Sequence, residues 1–262
     1  MTDRDWASVF SETFHAPVSA VQARIWAQVL GDEYPASLDT FSYVTYSDLE
    51  RAAEELTLPA GGVLADVACG RGGPGLWLAS RLGTRLIGLD IADTAVAAAS
   101  DRARALGLDT MAEYRVATFE ETGLADASVD GAVSFDALLF SPDKAAAIRE
   151  LARVLRVGAR LVVTTFDYHR QPVGRPFQVA DHRPLLEAAG FSVLAYEATR
   201  DWREHLERID GLLFESVEEL AAESGQDADE LRAGLEEMHA TTACMTRRVL
   251  FVAELTGLPE NG

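Results

Sequence analysis

The stretch Val63-Leu64-Ala65-Asp66-Val67-Ala68-Cys69-Gly70-Arg71-Gly72-Gly73-Pro74-Gly75 decides how the rest of the chain is read. A β-rich run, Gly62–Ala68, enters a cluster of glycines and leaves it as a helical pattern, Gly73–Leu82. At such a turn glycine lets backbone approach a ligand closely, and the N–H groups of the helix's first turn point outward. The next strand-like run, Arg85–Asp90, ends in an acid placed to hydrogen-bond a ribose diol. Gly70-x-Gly72-x-x-Gly75 satisfies the dinucleotide pattern literally, so a nicotinamide cofactor has to be weighed.

Asp66 separates the possibilities. A pyrophosphate at this turn would lie beside a carboxylate, and two anions in a low-dielectric cleft repel. An ammonium and a sulfonium would be attracted there. Those groups, with a ribose for Asp90 and no phosphate, belong to S-adenosylmethionine.

Outward from the turn, further strands are expected at Tyr114–Ala117, Val129–Phe135 and Arg160–Phe166, and helices at Asp93–Leu106 and Pro142–Leu155. This alternation predicts βαβ crossovers and an α/β fold with a parallel sheet. Past it, a helix near His182–Ala189, a strand Phe191–Tyr196, two acidic helical stretches, Asp201–Ser224 and Asp227–His239, and a final strand Arg248–Leu255 are expected. The acidic stretches, within 201–245, are read as a helical cap inserted before the last strand. Ahead of the sheet, 1–46 is read as a helical lid, with a helix over Val18–Leu30 and an aromatic segment Phe41–Tyr46. A further helix, Ser47–Leu58, is expected to take Ser47 as its N-cap.

Composition narrows the partners. The 262 residues carry a formal charge of −19, and Lys/Arg residues cluster only at Arg247-Arg248, which argues against nucleic acid. No apolar run is long enough to span a bilayer, so no membrane role is expected. Two cysteines, Cys69 and Cys244, make no disulfide framework, and the acidic N-terminus has no apolar leader core; both fit a reducing cytoplasm. A small-molecule partner is expected, with monomer and homodimer both open.

Taken in order, these motifs resemble the class I S-adenosylmethionine-dependent methyltransferases, especially their small-molecule, actinobacterial natural-product branch. The resemblance spans about Tyr34 to Leu255 and implies a single Rossmann-like domain with seven strands in the order 3-2-1-4-5-7-6, the last antiparallel. Asp66-x-Ala68-x-Gly70-x-Gly72 stands for the family's acidic-x-Gly-x-Gly-x-Gly, with Ala68 in place of the first glycine. Asp90 matches the ribose-binding acid, with Ile91 on the adenine face. Where the family has Gly-Asp-Ala, this chain has Ala117-Thr118-Phe119, so Thr118 and Phe119 are assigned to adenine. Cys69, also in the turn, has the alternative of a small buried hydrophobe, and Phe135 that of core. Asp126-x-Ser128-Val129-Asp130 and Leu155–Leu161 are further matches, with Val157-Gly158-Ala159 where the family has Pro-Gly-Gly.

On the acceptor side, Phe41, Tyr43, Tyr46 and Tyr168 are expected to line an apolar pocket, with His239 facing it from the cap. His169 is the candidate general base, because an imidazole titrates near working pH, and Asp136 is the second catalytic candidate. Asp136 and Asp167 are similar to the carboxylates of metal-dependent catechol methyltransferases, but Tyr168 stands where that group has Asn, so no metal is expected. The implied activity is methyl transfer to a small molecule, as in O-methylation of a secondary metabolite, with S-adenosylhomocysteine as product. The alternatives are a donor-binding relative that rearranges or cyclises its substrate, an NAD(P) oxidoreductase, and a non-enzymatic sensor of S-adenosylmethionine.

Overall fold

The computed structural model describes residues 4–258. Its centre is one seven-stranded sheet in the order β3-β2-β1-β4-β5-β7-β6. The strands are β1 (Val63–Val67), β2 (Arg85–Asp90), β3 (Ala112–Val116), β4 (Val129–Phe135), β5 (Leu155–Tyr168), β6 (Phe191–Ala198) and β7 (Met245–Leu255). The first five are parallel, whereas β7 runs antiparallel to both β5 and β6. This is the expected order.

Alternation along the strands divides the core into two layers. Leu64, Val133, Val162 and Val252 face α3 (Tyr46–Glu55) and α4 (Gly73–Leu82). Ala65, Ala132, Leu161 and Phe251 face α6 (Lys144–Val154) and α7 (Arg183–Ala188). Central strands covered on both faces need apolar residues at nearly every position, which explains the run Leu161-Val162-Val163.

Helices α1 (Trp6–His15) and α2 (Ala20–Leu30) precede the sheet, and α5 (Asp93–Ala105) follows β2. The expected single helix over Asp201–Ser224 is two, α8 (Trp202–Glu215) and α9 (Val217–Ser224), broken at Ser216; α10 (Ala228–Thr242) follows. Together α2, α8, α9 and α10 enclose a separate apolar cluster around Ile25, Ile209 and Leu213. Ser47 does not cap α3. Thr45 does, in a capping box with Asp48, while Ser47 lies within the helix and bonds Glu33.

Candidate functional site

The C-terminal ends of β1, β2 and β4 form one rim, where open α/β sheets bind ligands. Asp66 reaches from β1 beneath the start of α4, and a Cβ at Gly75 would overlap its Oδ2, so glycine is required there. The Asp66 carboxyl is buried and its Oδ2 has no hydrogen-bond partner. Burial, then the charge of Asp90, push its pKa up to about 7, against the pull of the Gly75 N–H. A buried carboxyl with a bare oxygen suits a cationic ligand and repels a phosphate.

Asp90 pins the turn from the neighbouring strand. Its Oδ2 accepts from the Gly70 N–H at 2.8 Å and its Oδ1 from the Ala92 N–H at 2.9 Å. The Cys69 N–H donates to Leu89 O at 2.9 Å, closing the turn on β2. The Cys69 thiol is buried and its pKa raised by burial, which removes it as a nucleophile and fits a packing role.

Ala68 and Asp136 both adopt left-handed backbone, at φ 62° and 54°. Strain at the ends of β1 and β4 coincides with the rim. For Ala68 the conformation costs about 1–2 kcal/mol, partly offset by the greater unfolded-state freedom of glycine. Ala68→Gly is therefore expected to raise stability by about 0.5–1 kcal/mol; a lower denaturation midpoint would show that the methyl group packs favourably.

Helix α1 lies across the rim. Trp6, Phe10 and Phe14 form a stripe at four-residue spacing, with Phe10 and Phe14 centroids 6.2 Å apart. Phe14 covers Gly70, the Arg71 guanidinium stacks on Phe14, and Phe41 meets Phe14 edge-on at 5.8 Å. Ser11 bonds Asp93, and the Thr94 hydroxyl donates to Ser11 O, fastening α1 to α5.

Beyond β4 and β5 lies an aromatic cluster of packed side chains, the candidate acceptor chamber. Leu139, Phe166, Tyr168, Leu206 and Met245 cluster there, with Tyr43, Phe140 and Trp202 packed against them. The Tyr168 hydroxyl is buried without a partner. One turn along α8 from Leu206, Asp210 is 2% exposed; its Oδ1 is unpartnered and its Oδ2 lies 3.3 Å from His239 Nδ1. Burial is the main cause of a raised Asp210 pKa, and Asp210 in turn raises that of buried Tyr43.

The rim is clamped by a buried ion network. Arg248 donates to Asp136 through Nε (2.8 Å) and Nη2 (3.0 Å), and to Asp48 through Nη1 (2.9 Å). Asp136 Oδ2 also accepts from the Tyr43 N–H at 3.0 Å. Burial opposes the Arg248 charge, but the two carboxylates overcome it and hold its pKa above the ordinary guanidinium value.

The expected site residues do not all come together. Asp66, Ala68, Cys69, Gly70, Gly72 and Asp90 converge at the turn, and Tyr43 and Tyr168 share the chamber. Thr118 and Phe119 follow β3, but the Thr118 hydroxyl accepts from the Glu121 N–H and the Phe119 ring packs in the core beside Leu89. Ile91, half-buried, follows Asp90 on the rim. Phe135 is core, packed with Val44 and Leu49, and Tyr46 packs in the same cluster rather than in the chamber.

Two catalytic expectations need correcting. Asp136 is spent on Arg248 and the Tyr43 N–H, leaving it no free role as a base. His169 is exposed and lies just past the end of β5, outside the cluster that holds Phe166 and Tyr168. Asp167 accepts from Tyr196 Oη (2.6 Å) and Arg247 Nε (2.7 Å) and lies 3.1 Å from His182 Nδ1. It is far from pairing with Asp136, and no cluster of three or more metal-type ligands occurs among the described residues. The His239 side chain is 61% exposed, on the outer side of Asp210. Asp210, Arg248 and the α1 stripe escaped the sequence reading; the stripe alone had a visible signal, its spacing.

The strand order, the antiparallel β7 and the acidic glycine turn together define a class I methyltransferase fold. Residues 65–163 match the family described as a methyltransferase domain. Methyltransferase GfsG of Streptomyces halstedii is 33% identical over 129 residues, 49% of this chain and 46% of that protein. The 27-O-demethylrifamycin SV methyltransferase of Amycolatopsis mediterranei is 33% identical over 172 residues, covering 66% and 61%. The chain thus spans about half to three-fifths of the length of these curated relatives. The crystal structure of the [4+2]-cyclase SpnF shares the fold, with a TM-score of 0.72 over 97% of both chains at 22% identity.

Proposed function

We propose that the protein transfers a methyl group from S-adenosylmethionine to the oxygen of a small, largely apolar acceptor of secondary metabolism. The observation that carries this reading is the buried Asp66 carboxyl with its bare Oδ2 beneath the glycine turn. Its charge beneath the turn favours an ammonium there, while Asp90 stands across the turn for a ribose. When bound, the donor supplies a methyl group activated by its sulfonium. Both relatives are methyltransferases, and one is named for a rifamycin acceptor, which supports the same activity and class of acceptor.

The protein's own contribution is alignment and exclusion of water. Asp66 holds the positive end of the donor, Asp90 fixes turn and ribose together, and α1 covers the rim. Residues 4–46 and 201–245 act as lid and cap over the chamber. Asp210 is the acceptor-side base in this reading: Oδ1 takes the hydroxyl proton and the carboxylate becomes neutral, while Oδ2 stays beside His239 Nδ1, whose ring meets water. No helix among the described residues is long and apolar enough to cross a membrane.

The test is product formation. Protein, S-adenosylmethionine and a metabolite extract should yield S-adenosylhomocysteine and a methylated product; consumption of a metabolite without S-adenosylhomocysteine would favour a donor-holding cyclase instead. With an acceptor in hand, Asp210→Asn should lower turnover by roughly 10²–10⁴. His169→Ala should stay within about threefold of wild type, since the loss of a working base costs far more. The opposite pattern would return the role to His169.

A further inference from the structure

We infer that Arg175 and Tyr168 form the far end of the acceptor chamber and bind the anionic head, a carboxylate or phosphate, of an elongated apolar acceptor. This rests on the reading that the chamber holds the acceptor.

The guanidinium of Arg175 stacks on Trp6 and Phe140, 5.2 and 5.9 Å from their ring centroids, and its side chain is only 14% exposed. A guanidinium has five N–H donors. Here Nε reaches Thr241 Oγ1 at 3.3 Å, and the nearest carboxylate oxygen, Glu237 Oε1, is 3.6 Å from Nη2, beyond a hydrogen bond. Glu237 is already taken bidentately by Arg4, at 2.8 and 3.0 Å. Arg4, Arg175 and Glu237 therefore leave one uncompensated positive charge in a protein whose formal charge is −19. A mostly buried cation with unfilled donors calls for an anion.

A second observation points the same way. The Tyr168 hydroxyl is buried and unpartnered, and Phe140, whose ring the Arg175 guanidinium covers, packs against the cluster that holds Tyr168. The two offer a fork and a hydroxyl to one head group. The loop bearing Arg175 is held in place. The amine of Lys144, the one lysine of the chain, donates to Leu139, Ser141 and Phe177 carbonyls, and Gln178 donates to Leu139 O.

The stripe on α1 gives the scale. Phe14 covers the glycine turn, and Trp6, eight residues earlier on the helix, covers Arg175, so the two lie about 12 Å apart. An acceptor would place its anion at Arg175 and extend its apolar body along Phe10 and Phe140 toward the donor.

Decanoate, decyl phosphate and neutral decanol serve as probes, titrated calorimetrically into the protein with and without S-adenosylhomocysteine. At least one of the two anions should bind about tenfold or more tightly than decanol, and the better of them identifies the head group. R175Q should abolish that preference while leaving decanol and S-adenosylhomocysteine binding unchanged, and Y168F should reduce it severalfold. Anions that bind no better than decanol, or a preference that survives in R175Q, would overturn the site. Should R175Q fail to fold, R175K decides: loss of the fork should cut the preference severalfold, and an unchanged preference overturns the inference. Binding of S-adenosylhomocysteine with no preference among the probes leaves the donor reading standing and removes only the anion site. Failure of S-adenosylhomocysteine to bind removes the donor reading, and the probe comparison on the free protein still judges Arg175.

Discussion

Arg248→Met should destabilise the protein by about 3–5 kcal/mol, because it strands two buried carboxylates without their counter-charge. Asp136 and Asp48 approach the guanidinium from different parts of the chain, the end of β4 and the first turn of α3. Asp136 also holds the Tyr43 N–H, and Asp48 closes the capping box of α3. Removing the cation should therefore loosen the Phe41–Tyr46 segment together with the rim. Chemical denaturation checks this: the midpoint should fall with little change in slope. Replacing both acids as well, in Arg248→Met/Asp136→Asn/Asp48→Asn, should recover much of the loss, because no buried charge then remains. Equal stability of Arg248→Met and wild type would mean that water reaches the network and screens it.

The second large effect concerns Asp66 and pH. Its folded pKa, about 7, stands above the ordinary carboxyl value of 3.8. An acid raised on folding binds more protons in the native state, so its contribution to stability is complete below about pH 4 and is lost as pH rises through 7. A cationic donor reverses the preference, since it favours the ionised carboxylate. Affinity for S-adenosylmethionine should thus fall about tenfold from pH 8 to pH 6, with proton release on binding in that window. Calorimetry in two buffers of different ionisation enthalpy measures both. Asp66→Asn should bind more weakly at pH 8 and show no such dependence; an unchanged pH profile in that variant would remove Asp66 from the donor site.

The contrast between Asp66 and Arg248 shows what the sequence could reveal. Asp66, the glycines and Asp90 act within one βαβ unit, so their spacing along the chain is nearly their arrangement in space. The strand order was implied by the family resemblance that this pattern carries, and the βαβ alternation alone gave the parallel sheet. The acceptor side is assembled from α1, the loop after β5, α8 and the start of β7, and no short-range spacing brings those together. The surroundings of His169 were not legible because it lies past the end of β5, where the strand pattern no longer places a side chain. Asp210 was hidden among the acidic residues of the cap, most of which are solvated, and only its burial beside Tyr43 distinguishes it. Ala68 was legible as a departure from the glycine pattern, but its left-handed backbone was not.

The central claim is that the acidic turn holds S-adenosylmethionine or its demethylated product. Equilibrium titration of S-adenosylhomocysteine at pH 8 into wild-type protein and Asp90→Ala tests it most directly, with NADH as competitor. Saturable binding to the wild type is predicted, weakened by about 1.5–3 kcal/mol in a folded Asp90→Ala variant and undisturbed by NADH. Unchanged affinity in that variant, or NADH binding tightly enough to displace the nucleoside, would contradict it.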